Sequence, residues 1–335
     1  VADKIDDEPP LGHMSSMGLQ ELRGALAERL TLEFGVDVKP ENILITSSSR
    51  HAVFSAILSK VSIGDRVVIP EPTRPVYASC VELAGGRTDI VHTTLEDGWQ
   101  VDIGAVDDAL AAGARLIILN SPSNPTGRII NGSELDELSK MAERRSAYIL
   151  SDEAYRGYSF KPYKSILQAA CCNFIHVGIL SDWLGVAGWR IGYVISDLQT
   201  VSRMRKILQL SVTCAPSFIY QAALKALKND YRNTANIFRK MLEDRMNAAC
   251  SELDRLPVEY YRPEGAMFIF PKFDLEGFDS RAFAKSLLRE AKVAVTPGEA
   301  FGRYPEYLRL SVATSKLKIR EAMRRINSYL GRMSR

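Results

Sequence analysis

Four short stretches carry polar residues whose types and places could do chemistry: SSSR at 47–50, NSPSNPTG at 120–127, SDEAY at 151–155 and GWRIGY at 188–193. In SSSR, serine hydroxyls and free backbone N–H groups at a helix start suit a phosphate. Taken alone, the same residues are explained by a plain N-cap. In SDEAY, Asp152 closes the apolar run AYIL, and a carboxylate there needs a partner because a lone buried charge is costly. A helix-cap acid is the plainer alternative. In GWRIGY, Arg190 stands two positions from a glycine on either side, at the edge of an apolar strand, facing either an anion or a surface ion pair. NSPSNPTG by itself is an ordinary turn. Each signal is weak singly; their order and spacing are not.

The surrounding elements decide whether these stretches meet. MGLQELRGALAERLTLEFG has Leu19, Leu22, Leu26 and Leu30 at helical spacing and ends at Gly35. ENILIT, DRVVIPEP, ARLIILN, AYILSD, FIHVGILS and WRIGYVIS read as strands, separated by helical patterns such as SSSRHAVFSAILSKV and SELDELSKMAERR, the latter with Ser133 as its N-cap. This alternation predicts an α/β fold with a mainly parallel sheet covered on both faces. In such sheets ligands sit at the carboxyl ends of the strands, where all four stretches fall. Beyond about residue 200 the pattern turns helical, with a long helix within 217–253. AMFIFPKF, a helix near SRAFAKSLLREA, the strands VAVTPG and YLRLSVAT and a last helix follow, as a smaller α+β unit.

Bulk properties exclude other classes. A net charge of +3, with acids and bases interspersed, argues against nucleic acid as a partner. Five cysteines without metal-like spacing, two of them adjacent, read as reduced thiols and predict no metal site and a cytoplasmic protein. No apolar run approaches membrane-spanning length, and the start VADKIDDEPP lacks the basic and apolar regions of a signal peptide.

Asn124 in NPTG, then SDEAY, GWRIGY and, near the end, YLRLS together resemble the aminotransferase class I/II family, pyridoxal-phosphate (PLP) enzymes of fold type I. The likeness runs from about Gly18 to the last helix and includes EGAMFIF and VAVTPGEAFG. It implies a large PLP-binding domain over 31–230, a small C-terminal α+β domain over 231–335, and a segment over 1–30 serving the small domain or a dimer arm. It implies that Asp152 faces the pyridine nitrogen, making the ring a better electron sink. Tyr155 and Asn124 face the phenolate oxygen. Arg190, Ser181 and the N–H groups near Ser48, Ser49 and Arg50 hold the phosphate. Arg309 grips the α-carboxylate of an amino acid, with Asn124 beside it. The expected reaction is amino-group transfer to a 2-oxo acid, in a homodimer whose subunits share their sites.

Several positions depart from the family pattern. The Schiff-base lysine lies eight positions before the phosphate arginine, and that place is Asp182. Aspartate cannot form the covalent link to the cofactor and carries protons poorly in the lysine's stead. An engineered change, a modified lysine omitted from the written chain, and a natural relative without ordinary transamination all stay open. The last would bind PLP or an amino acid without transamination, or act as a lyase, decarboxylase or synthase. Arg74 replaces the aromatic residue that stacks on the ring, and guanidinium also stacks on π faces. Ser48 replaces a glycine of the phosphate loop, Ile179 a serine, and His13 the tyrosine that reaches the neighbouring subunit's phosphate.

Overall fold

The computed structural model describes residues 14–169, 173–180, 186–229, 231–275 and 277–333. His13, Ser181 and Asp182, each given a role from the sequence, lie outside them, as do Cys171 and Cys172.

Seven strands form the main sheet: β1 (Ile43–Thr46), β2 (Arg66–Glu71), β3 (Arg87–His92), β4 (Leu116–Asn120), β5 (Tyr148–Asp152), β6 (Phe174–Ile179) and β7 (Gly192–Ser196), in the order β1-β7-β6-β5-β4-β2-β3. Only β7 runs against the others. The inner strands are largely apolar because both faces are covered, while the edge strand β3, RTDIVH, is mostly polar. Successive side chains point to opposite faces, so Val67, Ile69, Leu116 and Ile118 join one core. That core includes Val53 and Ile57 of α2 (Ser49–Lys60), Tyr77 and Val81 of α3 (Val76–Leu83), and Met204 and Leu208 of α6 (Leu198–Ser211). Val68, Ile117, Leu119 and Ile149 point the other way, onto α4 (Ile103–Ala111) and α5 (Gly132–Arg144).

The leucine stripe of the first helix behaves as its spacing predicts. Leu22, Leu26 and Leu30 of α1 (Gln20–Phe34) are fully buried, against Tyr220 and Ala223 of α7 (Ser217–Lys228) and the outer strands β1 and β7. Gly35 ends the helix in a left-handed conformation, the C-cap that glycine adopts without a Cβ clash.

The C-terminal part surrounds a separate core. It joins Leu242, Met246 and Leu253 of α8 (Tyr231–Leu253), Phe283 of α9 (Ser280–Ser286), and Ile319, Met323 and Ile326 of α10 (Lys316–Met333). Small sheets close it: β8 (Val258–Glu259) with β10 (Lys272–Phe273), and β9 (Phe268–Ile269), β12 (Leu308–Ser311) and β11 (Thr296–Pro297) together.

The long helix expected within 217–253 is α8, with α7 before it. AMFIFPKF forms two short strands flanking Phe270 and Pro271, since proline has no N–H to give a ladder. Two expectations are corrected. VAVTPG contributes only the two residues of β11. The cap of α5 is Asn131, whose side chain accepts from the Glu134 N–H, while Ser133 instead donates to Asn131 at 2.6 Å.

Candidate active site

Strand register gathers the chemical residues at one edge of the main sheet. Thr46 of β1 pairs with Gly192 of β7, Gly192 with Ile179 of β6, Val177 with Asp152 of β5, and Asp152 with Asn120 of β4. The serine run, the Arg190 stretch, the acid and the NPTG turn all leave from that edge.

Asp152 is fully buried. One oxygen, Oδ2, accepts from Arg74 Nη1 and from the Tyr77 hydroxyl, each at 2.7 Å, and Oδ1 accepts from the Ala154 N–H at 3.1 Å. The partner that a buried acid requires is thus internal. Burial works against the charge on Arg74, yet Tyr77 and Asp152 hold its pKa above the ordinary arginine value. Burial, with Asp152 adding to it, pushes the Tyr77 phenol well up, so the group stays a neutral donor. The next residue, Glu153, turns to the opposite face. It lies 3.3 Å from His176, in off-line geometry for a hydrogen bond, and its Oε1 accepts from the Ile166 N–H at 2.8 Å.

Asn120 fastens the NPTG turn to this centre. Its Nδ2 donates to the Asp152 carbonyl at 2.9 Å, and its Oδ1 accepts from the Asn124 N–H at 2.9 Å. Asn124 Nδ2 in turn faces the Tyr155 hydroxyl at 3.4 Å, and Asn124 Oδ1 accepts from Arg309 Nη1 at 3.0 Å. Arg309 comes from β12, in the other core. Thr296, its cross-strand neighbour, accepts from Nη2 at 3.2 Å, and the guanidinium lies over the rings of Phe268 and Phe301 at 4.5 and 5.0 Å. Among the described residues its buried Nε meets no acceptor, so it is a donor available to a bound group. Burial lowers the pKa of Arg309, and the charge of Arg74 contributes in the same direction. The two cations therefore lie within electrostatic reach of each other.

At the β1 end, Ser48 caps α2, its Oγ accepting from the His51 N–H at 3.2 Å. Gly192 makes the close approach possible: a Cβ there would stand 2.7 Å from both Ser48 C and Ser49 N. Those are backbone atoms with no freedom to retreat. Gly192→Ala is expected to lose about 1–3 kcal/mol of stability in denaturant unfolding, and an unchanged midpoint would show that the loop yields. Ser49 is buried, while Arg50 and Arg190 are exposed, Arg190 in a left-handed conformation at φ 53°.

Of the sequence candidates, Asp152, Tyr155, Asn124 and Arg309 form one connected cluster, and Arg74 joins it through Asp152. Ser48, Ser49, Arg50 and Arg190 lie along the same sheet edge. Tyr77, Asn120, Thr296 and Phe268 were not singled out by sequence reasoning. Asn120 alone offered a signal there, as the polar end of an apolar strand opening a Pro/Gly turn.

A second hollow of about 470 Å³ lies on the far side of the NPTG turn, lined in part by Arg128, Lys161, Lys164 and Glu264. Its cations are already engaged, Arg128 with Glu134, Lys161 with Glu264 and Lys164 with Asp136. Neither lysine approaches the role of the missing one.

Residues 6–326 match the sequence profile of the family aminotransferase class I and II. The chain belongs to that family. Aspartate aminotransferase of Thermotoga maritima is 32% identical over 93% of this chain and 82% of its own length. Aromatic-amino-acid aminotransferase 2 of Thermococcus litoralis is 31% identical over 96% and 84%. The crystal structure of an aromatic aminotransferase from Pyrococcus horikoshii superposes with a TM-score of 0.95, at 30% identity, covering 99% of this chain and 91% of that one. The fold is accordingly the α/β fold type I, and the protein is an amino-acid aminotransferase. The family implies PLP, and the donor set of this aminotransferase fits such a group: a buried acid at a strand end, an amide and a phenol beside it, a glycine-cleared helix start, and an arginine with an unpartnered N–H. Among the described residues, Arg74 on Asp152 competes with it. Among the described residues, no helix is long and apolar enough to cross a membrane, and no group of acids, histidines and cysteines could hold a metal ion.

Proposed function

We propose that this aminotransferase holds pyridoxal 5′-phosphate along the strand-end edge and moves an amino group from an amino acid to a 2-oxo acid there. The observation that carries the reading is the hydrogen-bonded line from Asp152 through Asn120 and Asn124 to Arg309, which joins the strand ends of the main sheet to the C-terminal part. In this reading Asp152 faces the ring nitrogen, and Asn124 and Tyr155 face the ring oxygen. The start of α2, with Ser48, Ser49 and Arg50, takes the phosphate together with Arg190 and Ser181. Arg309 positions the substrate's α-carboxylate, for which its free Nε and flat fork are suited. The cofactor supplies an electron sink for the carbon that gives up its proton. Burial of Asp152 and Asn124 keeps water from competing for these contacts.

Residues 31–230 would then form the cofactor domain and 231–335 the smaller one, with 1–30 contributing to a dimer arm. A homodimer, with His13 reaching the neighbouring subunit, and a cytoplasmic setting belong to the same reading.

Asp182 favours a second reading, in which the chain binds PLP or an amino acid and catalyses another reaction of that cofactor, or none. One experiment separates them. PLP is titrated by absorbance and equilibrium dialysis, and 2-oxo acid formation is followed for a panel opening with aspartate and the aromatic amino acids, which the named relatives act on. Amino transfer supports the first reading, PLP binding without transfer the second, and no PLP binding removes the first and leaves of the second only the binding of an amino acid. Arg309→Leu is expected to lower kcat/KM about a hundredfold, mainly through KM, because it removes a partly buried charge from the carboxylate.

A further inference from the structure

Arg74 does not stand free over a ring site. Its side chain is only 12% exposed and meets the fully buried Asp152 at 2.7 Å. A carboxylate has about four lone-pair positions. Three are taken here, and both on Oδ2, the oxygen toward Arg74, belong to Arg74 and Tyr77. A protonated pyridine nitrogen and a guanidinium want the same acid, and two cations cannot share one buried carboxylate without mutual repulsion. Arg309, joined to the same hydrogen-bonded cluster, adds to the conflict, since it already feels the charge of Arg74.

We propose that Arg74 is a resident cation that holds the site's acid in place of the cofactor ring, so that the cofactor is accepted only as Arg74 gives Asp152 up. The inference rests on the cofactor reading above and goes beyond it. The site without cofactor is neutralised from within rather than left with an open acid. Apparent affinity for PLP is therefore lowered by the fraction of molecules in which Arg74 has let go. Arg74 is in this sense a positioning residue, acting through Asp152.

The test measures the PLP dissociation constant by equilibrium dialysis for the full chain, Arg74→Gln and Arg74→Phe, alongside the thermal midpoint of each without PLP. Gln keeps a donor for Asp152 but removes the charge, so Arg74→Gln is expected to bind PLP about tenfold tighter than the parent. Arg74→Phe is expected to bind at least as tightly as Arg74→Gln. Without PLP, both variants should melt lower than the parent, and adding Asp152→Asn to Arg74→Gln should recover part of that loss. Should Arg74→Gln fail to fold, Arg74→Lys, which keeps the charge but not the fork, should show the same sign with a gain of about threefold. A gain in Arg74→Phe without one in Arg74→Gln would assign the effect to ring stacking and overturn the proposal. Equal affinity in all of them would overturn it while leaving the cofactor reading intact. Binding by none would overturn both.

Discussion

Asp152→Asn is expected to abolish measurable amino transfer, with a loss of about a thousandfold or more in kcat, the scale of removing a preorganised charge from a reacting centre. Asparagine has the same shape but cannot hold a positive ring nitrogen. It also leaves Arg74 buried without its counter-charge, and breaking one side of a buried pair costs about 3–5 kcal/mol. Loss of activity alone would not separate the two effects, so the neighbour provides the control. Glu153 is equally buried, one residue on, and faces the other side of the sheet. Glu153→Gln should destabilise the fold and leave the PLP dissociation constant unchanged. Burial works to raise the Glu153 carboxyl, but His176, the Ile166 N–H and Arg156 hold it below the ordinary value. Its stabilising contribution is therefore full above the unfolded pKa of about 4.3 and fades as pH falls through the lower native value. Acid unfolding should accordingly be less steep in Glu153→Gln than in the parent. A Glu153→Gln variant that loses PLP as Asp152→Asn does would mean that the strand end, not the acid at 152, holds the cofactor.

Six of the seven strands of the main sheet were readable because each is a short apolar run, and the helices between carry the 3.6-residue period. The other, β3, RTDIVH, was not, because most of it is polar and it lies at the sheet's edge. Leu22, Leu26 and Leu30 fall on one buried stripe as their spacing requires. Asp152 was readable as a site residue because a carboxylate ending AYIL has no inexpensive solution except a partner. Which partner was not readable. Arg74 and Tyr77 are 78 and 75 positions away, and nothing in PTRPVY states that its arginine turns down onto the acid instead of lying across a ring. Thr296 and Phe268 were invisible for a related reason: they matter through cross-strand register and through contact with Arg309, and both depend on how the small sheets assemble. The cap of α5 failed more locally. Asn131 and Ser133 are both good caps, and two residues decide between them only through backbone angles.

Asp182→Lys is expected to convert a cofactor held by contacts alone into one retained covalently. Spacing and charge carry the expectation, since position 182 lies outside the described residues. In the family pattern a lysine stands eight places before the phosphate arginine, which the proposed function reads as Arg190. An aspartate there offers no amine and places a negative charge beside a phosphorylated ligand, which opposes binding. Lysine reverses both: its amine is a nucleophile toward the cofactor's aldehyde, and its charge favours the phosphate. The variant should keep PLP through gel filtration that strips the parent, and its intact mass after borohydride treatment should rise by one reduced cofactor. Amino transfer should increase by about a hundredfold or more, the contribution expected of a positioned proton carrier. The parent's intact mass decides the companion question, because a modified lysine absent from the written chain would show as excess mass before any variant is made. A parent of the written mass whose Asp182→Lys form retains no more PLP than before would mean that the spacing to Arg190 does not bring position 182 to the site.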